Sequence, residues 1–575
     1  MQSAVQDNVA GKPRRLGRHD IVCVGGVLLL WIAVWAARLD GPIDLRWDAS
    51  TYFVLGTSLA QGKGYRLLNE PGEIEAVQYP PLLPALVAAH QWALGTSDYV
   101  IVGSRLRLCY FFLSGAYLLA AYLVVRGFLD PPLALAATAG TAFSFYSFLY
   151  PSDSLYAEVP FALVSMLFLL CLRRSDRPGY GIVAGLLACT AYLIRTAGIA
   201  LLAVWIADSL MRRRFRQAAL RAAAAALPVL AWQAHIARVS GSSAYREPAY
   251  PYQRAAYYYS NVTYGENSWL IDPFQPELGR TLRRDLAGRV GRNLLAVPRS
   301  IGESAWIAVA SAPYLLDKMY RGLHLPWKQP PREPVLSVTG ACLTLIGIGA
   351  LVGAGLLLIQ GEWLYPLYFG LTLAMISLTP WPSQFWRYLA PLTPLTYLFL
   401  LLSFNAAARW LARRGEWGKT AGAFVATGPL AAMLLVQVVI AAGFLRLLPI
   451  SYYAADGTER AGRLLTYEPV WHALDPALEY LRRHAASGDV IATSVPHLAY
   501  LRTGHRAILP PLEPNPDTAA RYLDAVPVSY LVLDELGLPG ISEHYAAPVV
   551  VRHPAAWRLV YNTPGTRVRV YERVH

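Results

Sequence analysis

Long apolar runs limit the folds that are open to this chain. Each run extends over about 18 to 25 residues, the length that a helix needs to cross roughly 30 Å of hydrocarbon. Only 15% of the 575 residues are charged, whereas soluble proteins carry about 25%. The runs therefore predict an α-helical polytopic membrane protein with about eleven spans.

The expected spans follow the apolar runs in order along the chain. They cover residues 20–37, 99–125, 131–148, 154–172, 179–210 (two short spans), 218–238, 335–359, 363–380, 387–407 and 420–447. The polar segments 38–98 and 239–334 are the two long loops between them. Both loops fall on the same side of the membrane in this arrangement.

Basic residues predict which side that is, because Lys and Arg concentrate in cytoplasmic loops. They precede the first run and follow several others, at Lys12, Arg14, Arg15, Arg18, 173–177, 212–216 and 413–419. We therefore expect a cytoplasmic N-terminus and place both long loops outside. This asymmetry also accounts for most of the formal net charge of +14, so the charge does not indicate a nucleic-acid partner.

Residues 450–575 predict a soluble α/β domain on the outer side, following a transmembrane domain of residues 1–449. Asp475-Pro476 and Asn515-Pro516 are typical helix starts, with a capping residue before proline. Gly504 is expected to end another helix. Strand character is present at 489–493, 528–534, 548–551, 557–562 and 567–572.

The first outer loop carries the most informative pattern. Asp48 precedes a run in which Tyr52, Leu55 and Leu59 share one helical face, which predicts a short helix at the membrane surface. A second short helix is expected at 81–94. Asp48 is also among the best residues for capping a helix, so the spacing alone leaves a structural role open beside a catalytic one.

The order of motifs in this loop resembles the C-type glycosyltransferase superfamily. The motifs are Asp48 at the head of a surface helix, Tyr52 four residues later, Gly62-Lys63-Gly64-Tyr65, and Tyr79-Pro80-Pro81 with Pro84. Among its members, protein O-mannosyltransferases and lipid A aminoarabinose transferases are most similar. The resemblance covers about residues 20–215 and again 380–395. It implies transfer of a sugar from a polyprenyl-phosphate donor outside the membrane, with Asp48 as the catalytic base.

The resemblance also implies roles for residues at the outer ends of spans. Glu158 is similar to a Glu of many relatives and is the second catalytic candidate, although a carboxylate also suits the first turn of a helix. Arg387 lies in a segment that resembles the donor-phosphate region of relatives; a membrane-interface role is its alternative. Arg195 and Arg105 are further candidates for phosphate binding, since Arg grips phosphate through a two-pronged fork.

Substrate contacts and cofactors follow from the same comparison. Tyr52, Tyr65, Tyr79 and Lys63 are candidates for substrate binding, with Lys63 also interpretable as a solvated loop residue. No metal is required, although a divalent cation between Asp48 and Glu158 is an open alternative. The expected partners are a polyprenyl-phosphate-linked sugar, membrane lipids and a lipid, glycan or protein acceptor. The expected location is the bacterial inner membrane, with the C-terminal domain in the periplasm.

Two other functions compete with this hypothesis. A transporter or lipid flippase would place charged residues deep in several spans and show symmetry between its halves. The sequence has its arginines near span ends and dissimilar halves. A membrane scaffold whose C-terminal domain binds a partner is the second, and the presence of Asp48, Glu158 and Arg387 argues against it.

Overall fold

The computed structural model describes residues 17–177, 179–248, 250, 261–326, 332–453, 456–536 and 540–574. Lys12, Arg14 and Arg15, which contribute to the predicted orientation, lie outside these residues. The chain divides into two compact units. The helical unit comprises Met1–Leu39, Cys109–Val229 and Ala287–Leu448, and the mixed unit comprises Asp40–Leu108, Leu230–Leu286 and Pro449–His575.

Helices dominate the described residues, as the apolar runs predict. The helices before the second outer loop are α1 (Arg18–Trp35), α2 (Asp48–Ala60), α3 (Leu82–Leu94), α4 (Tyr99–Arg126), α5 (Pro131–Phe143), α6 (Tyr150–Asp153), α7 (Glu158–Leu172), α8 (Tyr180–Ile194), α9 (Ile199–Met211) and α10 (Phe215–Gly241). Those up to the last apolar run are α11 (Ser243–Arg246), α12 (Tyr264–Ser268), α13 (Arg283–Ala305), α14 (Ala312–Gly322), α15 (Arg332–Ile359), α16 (Leu364–Ser377), α17 (Phe385–Leu389), α18 (Thr393–Ala412) and α19 (Glu416–Arg446).

Every predicted span coincides with a helix, but the helices differ in length. In the described residues, five are long and apolar enough to cross a membrane, or six if one bent pair counts as a single span. Four of the shorter apolar helices, α7, α8, α9 and α16, also coincide with predicted spans. The chain is a multi-pass membrane protein, and the count of about eleven spans stays a prediction.

The predicted span 131–148 is not a straight helix. The chain bends by 72° between Pro131–Phe143 and Phe145–Asp153. At the bend, the hydroxyl of Ser144 donates a hydrogen bond of 2.9 Å to the carbonyl of Ser304. Ser304 lies in the last turn of α13, where carbonyl groups have no partner within the helix, so this bond connects the break to the end of α13.

Ion pairs in the helical unit join segments that the sequence places on the cytoplasmic side. Arg126 pairs with Asp20, and Arg212 binds Asp176 at 2.6 Å. Arg173 lies 3.8 Å from Glu362. These contacts join helix ends to one another, and the side of the membrane on which they lie stays a prediction.

Small residues allow the long helices to pack closely. A Cβ atom on Gly353 of α15 would lie 1.7 Å from the carbonyl oxygen of Phe399 in α18, and one on Gly347 would lie equally close to that of Pro298 in α13. Only glycine fits at such distances. Close backbone approach at small residues is the usual basis of helix association in membranes, where apolar burial offers little.

The C-terminal part of the mixed unit contains two sheets. Their strands are β1 (Pro449–Tyr453), β2 (Glu459–Arg463), β3 (Val490–Ala492), β4 (Arg506–Ile508), β5 (Val528–Leu533), β6 (Trp557–Asn562) and β7 (Arg569–Arg573). β1 and β2 pair antiparallel, and the others form a sheet in the order β4-β3-β5-β7-β6. β3 is parallel to β4 and β5, and β7 is antiparallel to β5 and β6. The helices of this part are α20 (Pro469–His484), α21 (Pro496–Thr503), α22 (Pro516–Ala525) and α23 (Ala547–Arg552).

Two details of the predicted C-terminal domain are wrong. The helix expected to begin at Asp475-Pro476 begins at Pro469, with Pro476 in its interior, because Asp475 binds Tyr467 and Arg502 instead of capping. Residues 548–551 form part of helix α23 and not a strand. Val549 packs there in the apolar core with Trp557, and such packing overrides the strand preference of valine. The boundary at 449 stays a prediction.

Candidate active site: a carboxylate turn and an arginine cluster

A buried ion pair lies just before Asp48 in the mixed unit. The carboxylate of Asp44 accepts hydrogen bonds from Nε of Arg46 at 3.0 Å, from its Nη2 at 2.7 Å and from its backbone N–H at 2.9 Å. Both side chains are buried, at 3% and 4% exposure. A charge pair enclosed in this way holds its geometry only with further hydrogen bonds, and these come from elsewhere in the unit.

Residues at the start of the C-terminal region provide those bonds. Arg46 donates through Nη1 to Glu468 at 2.9 Å and through Nη2 to the carbonyl of Thr466 at 2.5 Å. Its guanidinium carbon lies 4.9 Å from the ring of Tyr467 and 5.4 Å from that of Trp471. Segment 466–471 therefore surrounds the guanidinium with charge, a carbonyl and two aromatic faces.

Trp47 connects this pair to Asp48 through an unusual backbone conformation. Its φ is +57° and its ψ is −134°, a region in which residues other than glycine are strained. Its ring meets Trp471 edge to face at 5.1 Å. Trp47, and not Asp48, is the capping residue of α2. Asp48 occupies the first turn, where the helix dipole favours a carboxylate, so the expected capping role of Asp48 does not apply.

Helices α2 and α3 form at the positions that the sequence predicts. Gly56 lies against Pro84 and Val87 so closely that a Cβ would be 2.5 Å from Val87. Gln91 donates to the hydroxyl of Thr57 at 2.8 Å. Protein surrounds α2, since residues 49–58 are all buried. Its place at the membrane surface therefore stays a prediction.

The three tyrosines predicted to bind substrate are brought together. The rings of Tyr52 and Tyr79 lie 4.8 Å apart, and the hydroxyl of Tyr65 donates to the carbonyl of Tyr79 at 2.8 Å. Burial raises the pKa of Tyr65 well above its usual range, which keeps this hydroxyl a donor. These contacts hold the Tyr-Pro-Pro segment in place, and a substrate-binding role for the tyrosines stays a prediction.

Lys63 and Arg105 lie in more exposed positions. Lys63 is 44% exposed and pairs with Glu73 at 2.9 Å, as a solvated loop residue would. Arg105 is exposed on α4. The neighbouring Arg107 is buried and donates to the carbonyls of Asp40 and Arg463, each at 2.6 Å. Arg107 therefore orders the backbone around the loop, and phosphate binding by Arg105 stays untested.

His497 is a residue near Asp48 that the sequence analysis missed. It lies on α21, which packs against α2, and its imidazole interacts electrostatically with the Asp48 carboxylate. The Nε2 atom of His497 is buried without a hydrogen-bond partner among the described residues. Burial lowers the pKa of His497 to about 4, against the opposing effect of Asp48. A neutral imidazole is therefore expected beside this carboxylate at neutral pH.

The helical unit holds the second cluster, built around Glu158. Oε1 of Glu158 accepts from Nε of Arg387 at 2.6 Å and lies 2.9 Å from Nη1 of Arg195. Glu158 is 1% exposed, and both arginines are 18% exposed. One buried carboxylate thus orients two guanidinium groups that reach the surface, and the three side chains together carry one net positive charge.

Local structure explains why these three residues meet. Glu158 is the first residue of α7, Arg195 ends α8 in extended conformation, and Arg387 lies in the short helix α17. Aromatic rings support both guanidinium groups. Arg387 lies 4.5 Å from the ring of Tyr156, and Arg195 lies 5.8 Å from that of Tyr388. Cation–π contacts of this kind add to the positioning of arginine.

The helical unit also contains an apolar cavity of about 440 Å³. Its first lining residue, Ile199, follows Arg195 by four positions in the sequence. Its walls come from α9, α13 and α16, and include Ile199, Ala203, Val290, Leu294, Leu371 and Met375. The amide of Asn293 on α13 donates to the carbonyls of Ser377 and Thr379, at 2.8 and 2.9 Å. These bonds hold the end of α16 against α13 at the cavity wall.

The sequence signals for the missed residues are weak. Asp44, Arg46 and Trp47 adjoin Asp48, but charged residues beside a polar loop are ordinary. His497 lies about 450 positions away in a region without a catalytic motif. Among the described residues, no group of three or more His, Cys, Asp or Glu side chains is placed to hold a metal ion. A cation between Asp48 and Glu158 stays an untested alternative.

No protein-family model and no curated protein matches the chain. Solved structures do match along nearly its whole length. ArnT of Cupriavidus metallidurans bound to undecaprenyl phosphate is 11% identical with a TM-score of 0.47, covering 96% of this chain and 98% of ArnT. Apo ArnT is 12% identical with a TM-score of 0.40, covering 96% of this chain and 97% of ArnT.

A third match is the archaeal oligosaccharyltransferase AglB of Archaeoglobus fulgidus, in complex with an inhibitory peptide and a dolichol-phosphate. It is 12% identical with a TM-score of 0.48, covering 97% of this chain and 74% of AglB. ArnT and AglB have the C-type glycosyltransferase fold, which is the family that the motifs of the first outer loop resemble. At TM-scores below 0.5, the likeness assigns neither an activity nor site residues to this chain.

Proposed function

We propose that this protein is a membrane glycosyltransferase that moves a sugar from a polyprenyl-phosphate donor to a hydroxyl group of an acceptor outside the cytoplasm. The observation that carries the proposal is the arginine pair on Glu158 in the helical unit, which also contains an apolar cavity lined from Ile199, four residues after Arg195. A lipid-linked phosphate offers the two chemistries that such an arrangement recognises, an anion and a long apolar chain.

The arginines would bind the donor phosphate. Arg387 and Arg195 present charge at a partly exposed edge, and guanidinium groups form strong paired hydrogen bonds to phosphate. Glu158 is engaged with both at 2.6 and 2.9 Å. We therefore assign Glu158 a positioning role, in place of the catalytic role that the sequence suggested.

The apolar cavity would hold the first isoprene units of the donor. Its lining residues are apolar apart from Ser377, so a prenyl chain that enters it from the bilayer would keep an apolar environment, and packing contacts would hold it there. Arg195 and Ile199 are four residues apart, joined by the short turn Thr196–Gly198, so one short segment of the chain contributes to both the anion-binding and the apolar part.

Asp48 would act as the general base. The acceptor oxygen forms a bond to the anomeric carbon while the bond from that carbon to the phosphate oxygen breaks. The acceptor proton passes to Asp48, and the polyprenyl phosphate leaves as an anion. Phosphate needs little protonation to depart, so one carboxylate and cationic stabilisation of the leaving group suffice. A direct displacement of this kind inverts the anomeric configuration.

The experiment uses the full chain in proteoliposomes with tritium-labelled undecaprenyl-phosphate hexoses and pentoses. A membrane-envelope extract supplies acceptors, and transfer is read as label that leaves the lipid fraction. We expect one donor of the panel to be consumed by the wild type and about 10³-fold more slowly by Asp48→Asn. Asp98→Asn is the matched control, because Asp98 starts α4 by accepting from Val100 and Ile101 at 2.8 and 3.0 Å.

Equal rates for wild type and Asp48→Asn would refute Asp48 as the base. If the wild type and both variants bind the lipid-linked sugars tightly but transfer none of them, the glycosyltransferase proposal is refuted and the flippase alternative is favoured.

A further inference from the structure

The turn that presents Asp48 is held from outside its own loop. Residues 44–48 carry the buried Asp44–Arg46 pair and the strained Trp47. The contacts that surround Arg46 and Trp47 come from segment 466–471, at the start of the C-terminal region. All of these residues belong to the mixed unit.

The strain at Trp47 requires such contacts. A non-glycine residue with φ of +57° persists only where the surrounding structure imposes it. Inside the turn, the hydroxyl and the N–H of Ser50 both donate to the carbonyl of Trp47, at 2.8 and 3.2 Å. These bonds begin α2 but do not determine φ of Trp47. The ring of Trp471, which contacts Trp47, and the hydrogen bonds that Arg46 donates to Glu468 and Thr466 are the contacts that restrain the backbone at residues 46 and 47.

Segment 466–471 is itself anchored in the C-terminal fold. The hydroxyl of Tyr467 donates to both oxygens of Asp475, at 2.8 and 2.7 Å. Asp475 also binds Nη2 of Arg502 at 3.0 Å. Arg502 lies on α21 and Asp475 on α20, so the segment is fixed to two helices that pack on the five-stranded sheet.

We propose that the C-terminal region positions the Asp48 carboxylate by holding the turn 44–48, with Trp471 and Arg46 as positioning residues. This inference rests on the proposed function, because it assigns the C-terminal region a part in the same reaction. The direction of the Asp48 side chain depends on the backbone of Trp47, which immediately precedes it. Displacement of a reacting group by about 1 Å can cost on the order of 10²-fold in rate.

The structural arm of the test is hydrogen–deuterium exchange of the full chain in detergent. We expect Trp471→Ala to speed amide exchange in residues 44–52, and Trp471→Phe to leave it near the wild-type rate because a ring remains against Trp47. Glu479→Gln is the control on the same helix. Glu479 is buried and pairs with Arg482 and Arg483, at 2.8 and 2.5 Å, away from the turn. It should change exchange only locally.

The kinetic arm uses the panel donor that the wild type consumes. Trp471→Ala is expected to lower kcat about 100-fold with little change in the KM of the donor, since the phosphate would be held in the helical unit. Trp471→Phe should stay within about threefold of wild type. Loss of folded protein would also lower the apparent kcat without changing KM. Rates are therefore normalised to the folded fraction, and only a positioning role leaves a loss of kcat per folded molecule that Phe restores.

The outcomes separate the two claims. Wild-type kcat in Trp471→Ala, or unchanged exchange at 44–52, would overturn the positioning role. If exchange also rises in β6 and β7, the variant has unfolded generally, and Glu468→Gln, with an expected tenfold loss of kcat and faster exchange at 44–52, replaces it as the deciding variant. If no donor is consumed by wild type, the proposed function fails, and the exchange at 44–52 alone supports or overturns the inference about the turn.

Discussion

The turn 44–48 that leads to Asp48 (the carboxylate turn) and the group of Glu158, Arg195 and Arg387 (the arginine cluster) hold their charged groups by different means. The Glu158 carboxylate binds Arg387 and Arg195 directly, at 2.6 and 2.9 Å. In the carboxylate turn, the charge pair is formed by Asp44 and Arg46, and α2 begins at Asp48 directly after it. Under the proposed function, the arginine cluster binds the donor phosphate and the turn presents the base.

This contrast predicts the largest effect at Glu158. Glu158→Ala removes the buried carboxylate that two guanidinium groups share, which we expect to lower the free energy of unfolding by about 3 kcal/mol. Asp176→Ala is the matched control, because Asp176 also binds two arginines but is 60% exposed. It should change stability by less than about 1 kcal/mol. Denaturant unfolding in detergent measures both, and equal losses would remove the distinction between buried and exposed pairs.

The free energy of unfolding should depend on pH through His497, which interacts with Asp48. The folded-state pKa of His497, about 4, lies below its ordinary 6.5. The unfolded chain therefore binds a proton that the folded chain excludes. Stability should fall as pH decreases from about 6.5 to 4, by at most on the order of 3 kcal/mol from this group.

His497→Gln should remove that part of the pH dependence. The measurement is the difference in unfolding free energy between wild type and variant at pH 4.5 and 7, which cancels other titrating groups such as His505. A difference that is the same at both values would show that His497 does not stay neutral beside Asp48.

Arg387→Lys tests whether the arginine cluster binds the donor phosphate. Lysine keeps the charge but loses the planar fork, so the KM for the lipid-linked donor should rise about 10- to 100-fold while the fold persists. Arg105→Lys, at an exposed position, should change it less than about threefold. A larger rise in the KM of the donor for Arg105→Lys than for Arg387→Lys would indicate that Arg105, and not Arg387, binds the phosphate.

The smallest effect is expected at Lys63. Its ion pair with Glu73 is exposed, at 44% and 27%, and such pairs contribute about 0–1 kcal/mol. Lys63→Ala should therefore leave both donor consumption and thermal stability near wild type. A tenfold loss of activity would contradict the interpretation of Lys63 as a solvated loop residue and would support the predicted contact with substrate.

The amino-acid sequence by itself determined the helices of the membrane region and the residue types of both clusters. Apolar runs of spanning length leave few folds open, and the order of motifs around Asp48, Glu158 and Arg387 points to these positions. The starts of α2 and α3 follow from local signals too. Local patterns decide such features because they depend on neighbours along the chain.

Only the tertiary structure decided how the charged groups are paired. The bend at Ser144, the helical state of residues 548–551 and the contact of segment 466–471 with Arg46 all depend on residues far apart in sequence. The same holds for the pairing of Glu158 with Arg387, separated by 229 positions. Burial and partner choice fix what a carboxylate does, and neither is encoded by its immediate neighbours.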